Sequence, residues 1–243
     1  MQENHLCDIE YNKDKANGGF TTFLPKYCEP FICIQPNESF TDFTTFIHEF
    51  GHFNNSYVNI QDNFNYNNLD LAEIHSQGLE LLFTKYYDKL FEKKDAKLMA
   101  DFKVYDMVDS IVVGCLYDEF QRRVYKLDQP TLAQINEIYT KLCKEYNMIP
   151  KDSDTIVGWE KIGHNFDAPL YYISYGISAA PTLEIWQNSL TNYEDACKTY
   201  LEVVKHGEHS TYKQTLKECG LTSPFTEGYC TKLVSTLKTY FVK

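Results

Sequence analysis

The stretch Ser39-Phe40-Thr41-Asp42-Phe43-Thr44-Thr45-Phe46-Ile47-His48-Glu49-Phe50-Gly51-His52 decides how this chain is read. Its first four residues match the Ser/Thr-x-x-Asp/Glu pattern of a helix start. Apolar residues then recur at Phe43, Phe46, Ile47, Phe50 and Phe53, which is a helical stripe, and Asn54-Asn55-Ser56 marks its end. Within the helix, His48 to His52 spell H-E-x-x-H. Four residues make close to one helical turn, so the two imidazoles point the same way and can share one zinc ion. Glu49 lies beside that ion without having to ligate it, where a general base must sit to take a proton from water. The competing reading is a helix with two ordinary histidines. Against it, the stripe puts the pair at the border of a buried face.

A catalytic zinc takes three protein ligands and keeps one position open. A third histidine six residues after the second is one solution, but position 58 is Val and position 55 is Asn. A carboxylate from the next helix remains, and Glu73 is the first acidic residue in that helix's interior. Asp62 and Asp70 compete with it. Asp62 falls in an Asn-rich loop, a poor platform for a ligand. Asp70 sits one turn before Glu73 and could orient a ligand from behind. Glu73, Gln77 and Glu80 share one helical face, and a nearby cation would offset the cost of burying those acids. The bland alternative is a solvated acidic face. His75 lies off that face and reads as a surface or packing histidine, while His206 and His209 flank Gly207 as a loop feature.

The net charge of −11 argues against nucleic acid, because phosphate binding needs clustered Lys and Arg. No window approaches a membrane span, and the polar start Met1-Gln2-Glu3-Asn4 carries no signal-peptide core, so the expected compartment is the cytoplasm. Eight cysteines without a C-x-x-C pair read as reduced thiols. The 243 residues suit a single domain, expected over 1–243. Two short strands are expected at Phe20–Leu24 and Pro30–Ile34, the second an edge strand because it begins with Pro. After the helices around His48 and Glu73, helical periodicity covers roughly 84–127, 130–146, 168–187, 192–206, 210–219 and 225–241. The expected fold is therefore mainly α, a helical zincin-like domain with a small N-terminal β-sheet beside the metal helix.

Several segments together resemble the oligoendopeptidase F branch of the thimet-type (M3) zinc oligopeptidases. They are Gly18-Gly19-Phe20, Pro30-Phe31-Ile32, the His48–His52 motif, Asp70 to Gln77, Tyr117-Asp118-Glu119-Phe120-Gln121, and His164 to Tyr175, which reads HNFDAPLYYISY. They occur in the family's order. The resemblance implies a helical shell around a deep channel, short peptide substrates, one zinc held by His48, His52 and Glu73, and Glu49 as base. It also implies that His164, Tyr172 and Tyr175 supply hydrogen bonds to the oxyanion of the transition state, with Tyr171 the alternative to Tyr172.

Members of that family are usually much longer, and this chain matches their C-terminal, catalytic half. An open half-channel predicts self-association, or a partner chain that supplies the N-terminal half. Two readings follow. One is a zinc metalloendopeptidase acting on oligopeptides. The other is a catalytically weak, zinc-retaining module that binds peptides or needs that partner. The peptide is expected to lie along an edge strand next to the metal helix, with residues 30–34 as the candidate. A His-His-Glu site also accepts cobalt or manganese.

Overall fold

Strand signal is confined to the first forty residues, and the sheet forms there. The computed structural model describes residues 1, 4–60, 68–207 and 210–242; Asp62 and His209 lie outside them. The strands are β1 (Cys7–Asp8), β2 (Gly18–Leu24) and β3 (Glu29–Gln35), in the spatial order β1-β3-β2. β2 and β3 form an antiparallel hairpin running from the pair Gly18–Gln35 to the pair Leu24–Glu29. β1 joins β3 in parallel at Ile32 and Cys33.

This order corrects the expectation that Pro30 marks an edge strand, and with it the choice of residues 30–34 as the peptide-binding edge. β3 is central. Proline is tolerated there because β1 pairs only with Ile32 and Cys33, so Pro30 faces a partner strand on one side alone. Among the described residues, β1 and β2 are the outer strands. β1 was invisible in the sequence because two residues are too few to show alternation.

The metal-motif helix, α1 (Phe40–Val58), starts where its cap predicts. The Asp42 carboxylate accepts from the backbone N–H of Ser39 at 3.1 Å and of Asn37 at 2.7 Å. It runs past Asn54-Asn55-Ser56 to Val58. Asparagine does not end it because Asn55 is buried and its oxygens accept from the Asn59 side chain, which also donates to the Val204 carbonyl. Next come α2 (Leu69–Phe83), α3 (Lys93–Val124), α4 (Leu132–Glu145), the single turn α5 (His164–Asp167), α6 (Ile173–Ser189), α7 (Tyr193–His206), α8 (Tyr212–Glu218) and α9 (Tyr229–Phe241).

Two of these differ from the periodicity. The helix expected from residue 84 is interrupted by a 3-10 stretch, Thr84–Lys89, and α3 begins at Lys93. Tyr87, 1% exposed, is fixed there by the rings of Phe40, Phe43 and Phe91. The helix expected from 168 begins at Ile173. Pro169 pushes Ala168 out of the helical region, and Leu170 takes a left-handed φ of 63°.

α2 and α6 are the central pair. Leu71, Ile74 and Leu82 of α2 pack with Ile185 of α6 and with Tyr200, Val203 and Val204 of α7. The opposite side of α6 meets α3 and α9 through Ala179, Leu183 and Trp186. A helix buried on all sides needs no amphipathic stripe, which is why α6 is apolar around most of its circumference. It also contains Pro181, which cannot donate to the Ile177 carbonyl. The Tyr212 hydroxyl donates to that carbonyl instead, at 2.7 Å. A third cluster joins α3 to α4 through Leu116, Tyr117, Phe120 and Leu142, and the sheet rests on α1 through Ile32, Ile34 and Phe53. No helix among the described residues is long and apolar enough to cross a membrane.

Candidate active site

α1 and α2 cross closely, and the site lies on the crossing. Gly51 makes the approach feasible. A β-carbon there would collide with the His75 carbonyl oxygen and lie 2.6 Å from the Ser76 Cα, both backbone atoms of α2. The second of the two variable positions in H-E-x-x-H is thus a packing requirement, set by the helix opposite.

The crossing brings three donors together. His48 Nε2 and His52 Nε2 are 3.3 Å apart, and Glu73 Oε2 lies 3.4 Å from the first and 3.6 Å from the second. Among the described residues, these three form the group whose donor atoms could meet one metal ion. A tetrahedral zinc with bonds of about 2.0–2.1 Å separates its ligands by about 3.4 Å. Nitrogen, nitrogen and carboxylate oxygen at those spacings therefore fit zinc in both chemistry and size.

The two imidazoles and the carboxylate are electrostatically coupled. Burial disfavours charge on His48, but hydrogen bonds to Glu73 and Glu80 outweigh it and raise its pKa to about 10. Burial likewise works against the Glu73 carboxylate, and the two imidazoles prevail, holding it well below the usual range.

Around the three donors, other side chains fix their orientation. His48 Nδ1 is 2.8 Å from Glu80 Oε1, the outer carboxylate that metal-bound histidines commonly carry. Ser76 Oγ donates to Glu73 Oε2 at 3.0 Å, and the Tyr171 hydroxyl donates to Glu73 Oε1 at 2.6 Å. Asp70 is not a donor to the cluster: it accepts from Ser174 Oγ at 2.7 Å and ties α2 to α6. His75 is fully buried in the α2 core, and burial pushes its pKa down to about 3, so it is a neutral packing residue. His206 lies 3.5 Å from Glu218, on α7, apart from the site.

Glu49 is buried at 7% exposure and faces the same cleft. Thr21 of β2 sits over it, with Oγ1 2.7 Å from Glu49 Oε2 and 2.8 Å from its carbonyl oxygen. The sheet edge and the motif helix are thereby joined at this glutamate.

The late segment closes the other side. His164 Nε2 is 3.2 Å from the Tyr175 hydroxyl, and both line the cleft with His48 and Glu49. The loop between them is anchored from α3: Gln121, 3% exposed, donates to Asn165 Oδ1 at 2.7 Å and accepts from the Leu170 N–H at 2.6 Å. That grip holds Leu170 in its left-handed conformation and turns Tyr171 toward Glu73. Tyr172, one residue on, packs its ring 5.0 Å from that of Tyr117 and contributes to the cleft wall. Of the two adjacent tyrosines, the zinc-ligand candidate is touched by Tyr171.

The cleft measures about 510 Å³ and runs between the Gly19–Thr45 side and α3, where Lys103, Asp106 and Asp109 line it. His48, Glu49, His164 and Tyr175 all line it. Sequence reasoning missed Thr21, Lys103 and the part played by Gln121. Of these only Gln121 had a signal, as the last residue of Tyr117–Gln121.

The family model for peptidase family M3 matches residues 1–235. An oligoendopeptidase F homolog of Borreliella burgdorferi is 27% identical over 208 residues, covering 81% of this chain, and oligopeptidase PepF of Bacillus subtilis is 24% identical over 235 residues, covering 91%. The chain spans 35% of the length of each of these relatives. A solved structure of PZ peptidase A with an inhibitor superposes on all of the chain with a TM-score of 0.89 at 26% identity, and the chain covers 44% of it. A mainly helical fold with a three-stranded sheet, the donor trio at the helix crossing and a family match over nearly the whole chain lead to one conclusion: this chain belongs to peptidase family M3.

Proposed function

We propose that the chain is a zinc-dependent metallopeptidase that hydrolyses short peptides. The observation that carries this reading is the convergence of His48 Nε2, His52 Nε2 and Glu73 Oε2 within 3.6 Å of one another, beside a buried glutamate in a cleft. Zinc held by the three supplies a Lewis acid that polarises the scissile carbonyl and acidifies water.

The protein's own groups do the rest. Glu49 accepts the proton of the attacking water and later delivers it to the leaving amine, and Thr21 keeps its carboxylate aimed. His164 and Tyr175 donate to the oxygen on which negative charge develops, and their own hydrogen bond sets their spacing. The bond from Tyr171 to Glu73 supports Tyr171 as the residue that holds this ligand, in preference to Tyr172. β2, an outer strand of the sheet among the described residues, lies next to Glu49 and supports binding of an extended peptide by main-chain groups along the sheet.

The fraction of the relatives' length that the chain spans favours a second reading of the same site. In it the zinc and the peptide are bound, but turnover awaits a further polypeptide, the relatives' remaining portion or a second copy, that walls the cleft and excludes water. A quenched fluorescent peptide library, with and without chelator, separates the two. Chelator-sensitive cleavage supports the first. Zinc at one per chain without cleavage supports the second, and a chain that binds no zinc ends both.

A further inference from the structure

Beyond the residues that touch the metal position, one buried cation stands out. Lys103 of α3 is 9% exposed at its side chain and lies against Glu80, itself 4% exposed. Its ammonium pairs with Glu80 Oε2, while Glu80 Oε1 meets His48 Nδ1 at 2.8 Å. On its outer side the ammonium is held by Asp106 Oδ2 at 2.9 Å, one turn further along α3. The row Asp106–Lys103–Glu80–His48 therefore crosses three helices and ends on a donor of the metal cluster.

Each link has a reason. The Glu80 carboxylate has two oxygens, and either could turn toward His48. An ammonium fixed on Oε2 leaves Oε1 as the one available, so the imidazole receives its acceptor in a single orientation. Tyr87 stands close enough to feel both charges, yet its buried hydroxyl has no hydrogen-bond partner among the described residues. Burial opposes the charge on Lys103, but Glu80 and Asp106 outweigh it and keep the ammonium firmly protonated. An isolated buried lysine would instead lose its proton.

We infer that Lys103 is a positioning residue for the metal centre, acting solely through Glu80 to orient the His48 imidazole and so to set zinc affinity and ligand geometry. This rests on the zinc reading above. It assigns to a helix outside the H-E-x-x-H and Glu73 elements a share in holding the ion.

The test measures zinc(II) affinity by chelator competition and the visible spectrum of the cobalt(II)-loaded protein, for the parent, Lys103→Met, Glu80→Gln and the double variant. Lys103→Met is expected to lose about 10-fold or more in zinc affinity and to shift the cobalt bands. Glu80→Gln should lose a similar factor, and adding Lys103→Met to it should change neither readout further. Lys103→Met leaves a buried carboxylate unpaired, which is destabilising; the double variant removes both charges and folds more readily, so its comparison with Glu80→Gln decides the matter by itself. Parent affinity in folded Lys103→Met, parent affinity in Glu80→Gln, or a further loss in the double variant each overturns the inference. A parent that binds no zinc defeats the functional reading instead, and is recognised before any variant is compared.

Discussion

The hydroxyl of Tyr171 donates to Oε1 of Glu73 at 2.6 Å, while Oε2 of the same carboxylate faces the two imidazoles. One carboxylate is thus shared between a phenol and the imidazole pair, and the phenol fixes which oxygen faces the imidazoles. Tyr171→Phe is expected to weaken zinc binding by about 10-fold, the effect of losing an outer hydrogen bond to a ligand. Tyr172→Phe, whose ring packs on Tyr117, should leave zinc affinity at the parent value. Chelator titration of both variants checks the contrast, and equal losses would remove the distinction between the two tyrosines.

Glu49 is expected to be needed for turnover but not for metal. Glu49→Gln keeps size and the contact with Thr21 while removing the basic oxygen, so peptide cleavage should fall by about 100-fold to 10,000-fold with zinc still bound at one per chain. Tyr175→Phe, removing a donor to the developing oxyanion, should cost about 100-fold in kcat at unchanged zinc affinity. Cleavage that persists at the parent rate in Glu49→Gln would end the proposed mechanism.

Zinc should stabilise the fold by mass action, since its donors come from two separate helices and converge only in the native chain. At a free zinc concentration of one hundred times Kd the gain is about 2.7 kcal/mol, or roughly 5–10 °C in Tm for a chain of this size. Scanning calorimetry with zinc and with chelator measures it. In Glu73→Gln the zinc-dependent increment should shrink sharply, and an undiminished increment would place the metal elsewhere.

Gly51 is expected to tolerate no side chain. Its β-carbon would meet backbone of α2 at His75 and Ser76, which cannot move aside as a flexible side chain would. Gly51→Ala should destabilise the chain by about 2 kcal/mol or more through overpacking and should weaken zinc binding by spreading the helices. Denaturant melts and chelator titration report the two effects, and a variant with both at parent level would contradict the close crossing.

Removing the Tyr212 hydroxyl should leave the Ile177 carbonyl, already abandoned by Pro181, without its hydrogen bond. Tyr212→Phe is expected to cost about 1–3 kcal/mol. In the double variant Tyr212→Phe/Pro181→Ala, the restored backbone N–H should recover most of that loss, and a double-mutant cycle by urea denaturation tests the coupling.

Much of the site could be read from the chain alone, and the reason is local. His48, Glu49 and His52 lie on one helix, whose period dictates where each side chain points whatever surrounds it. The same period put Glu73, Gln77 and Glu80 on one face of the next helix and separated His75 from them. The start of α1 was legible from Asp42, which caps within three residues. Its end was not, because Asn59, which donates to Asn55, is held by the Val204 carbonyl of α7, which lies far along the chain. Pro30 misled for a similar reason: whether its strand is central depends on a two-residue strand that arrives from upstream.

The chain's sequence by itself determined the H-E-x-x-H helix, the side of it that His48 and His52 share and the helical class of the fold, because these follow from spacing along single elements. Glu73 was already the sequence's choice of carboxylate; only the tertiary structure decided how closely it approaches the two imidazoles, which of two neighbouring tyrosines reaches it, and that Lys103 stands behind Glu80. Those outcomes depend on the distance and rotation between helices. Close packing around Gly51 and the grip of Gln121 on the Leu170 turn set these, and no periodicity within one element encodes them.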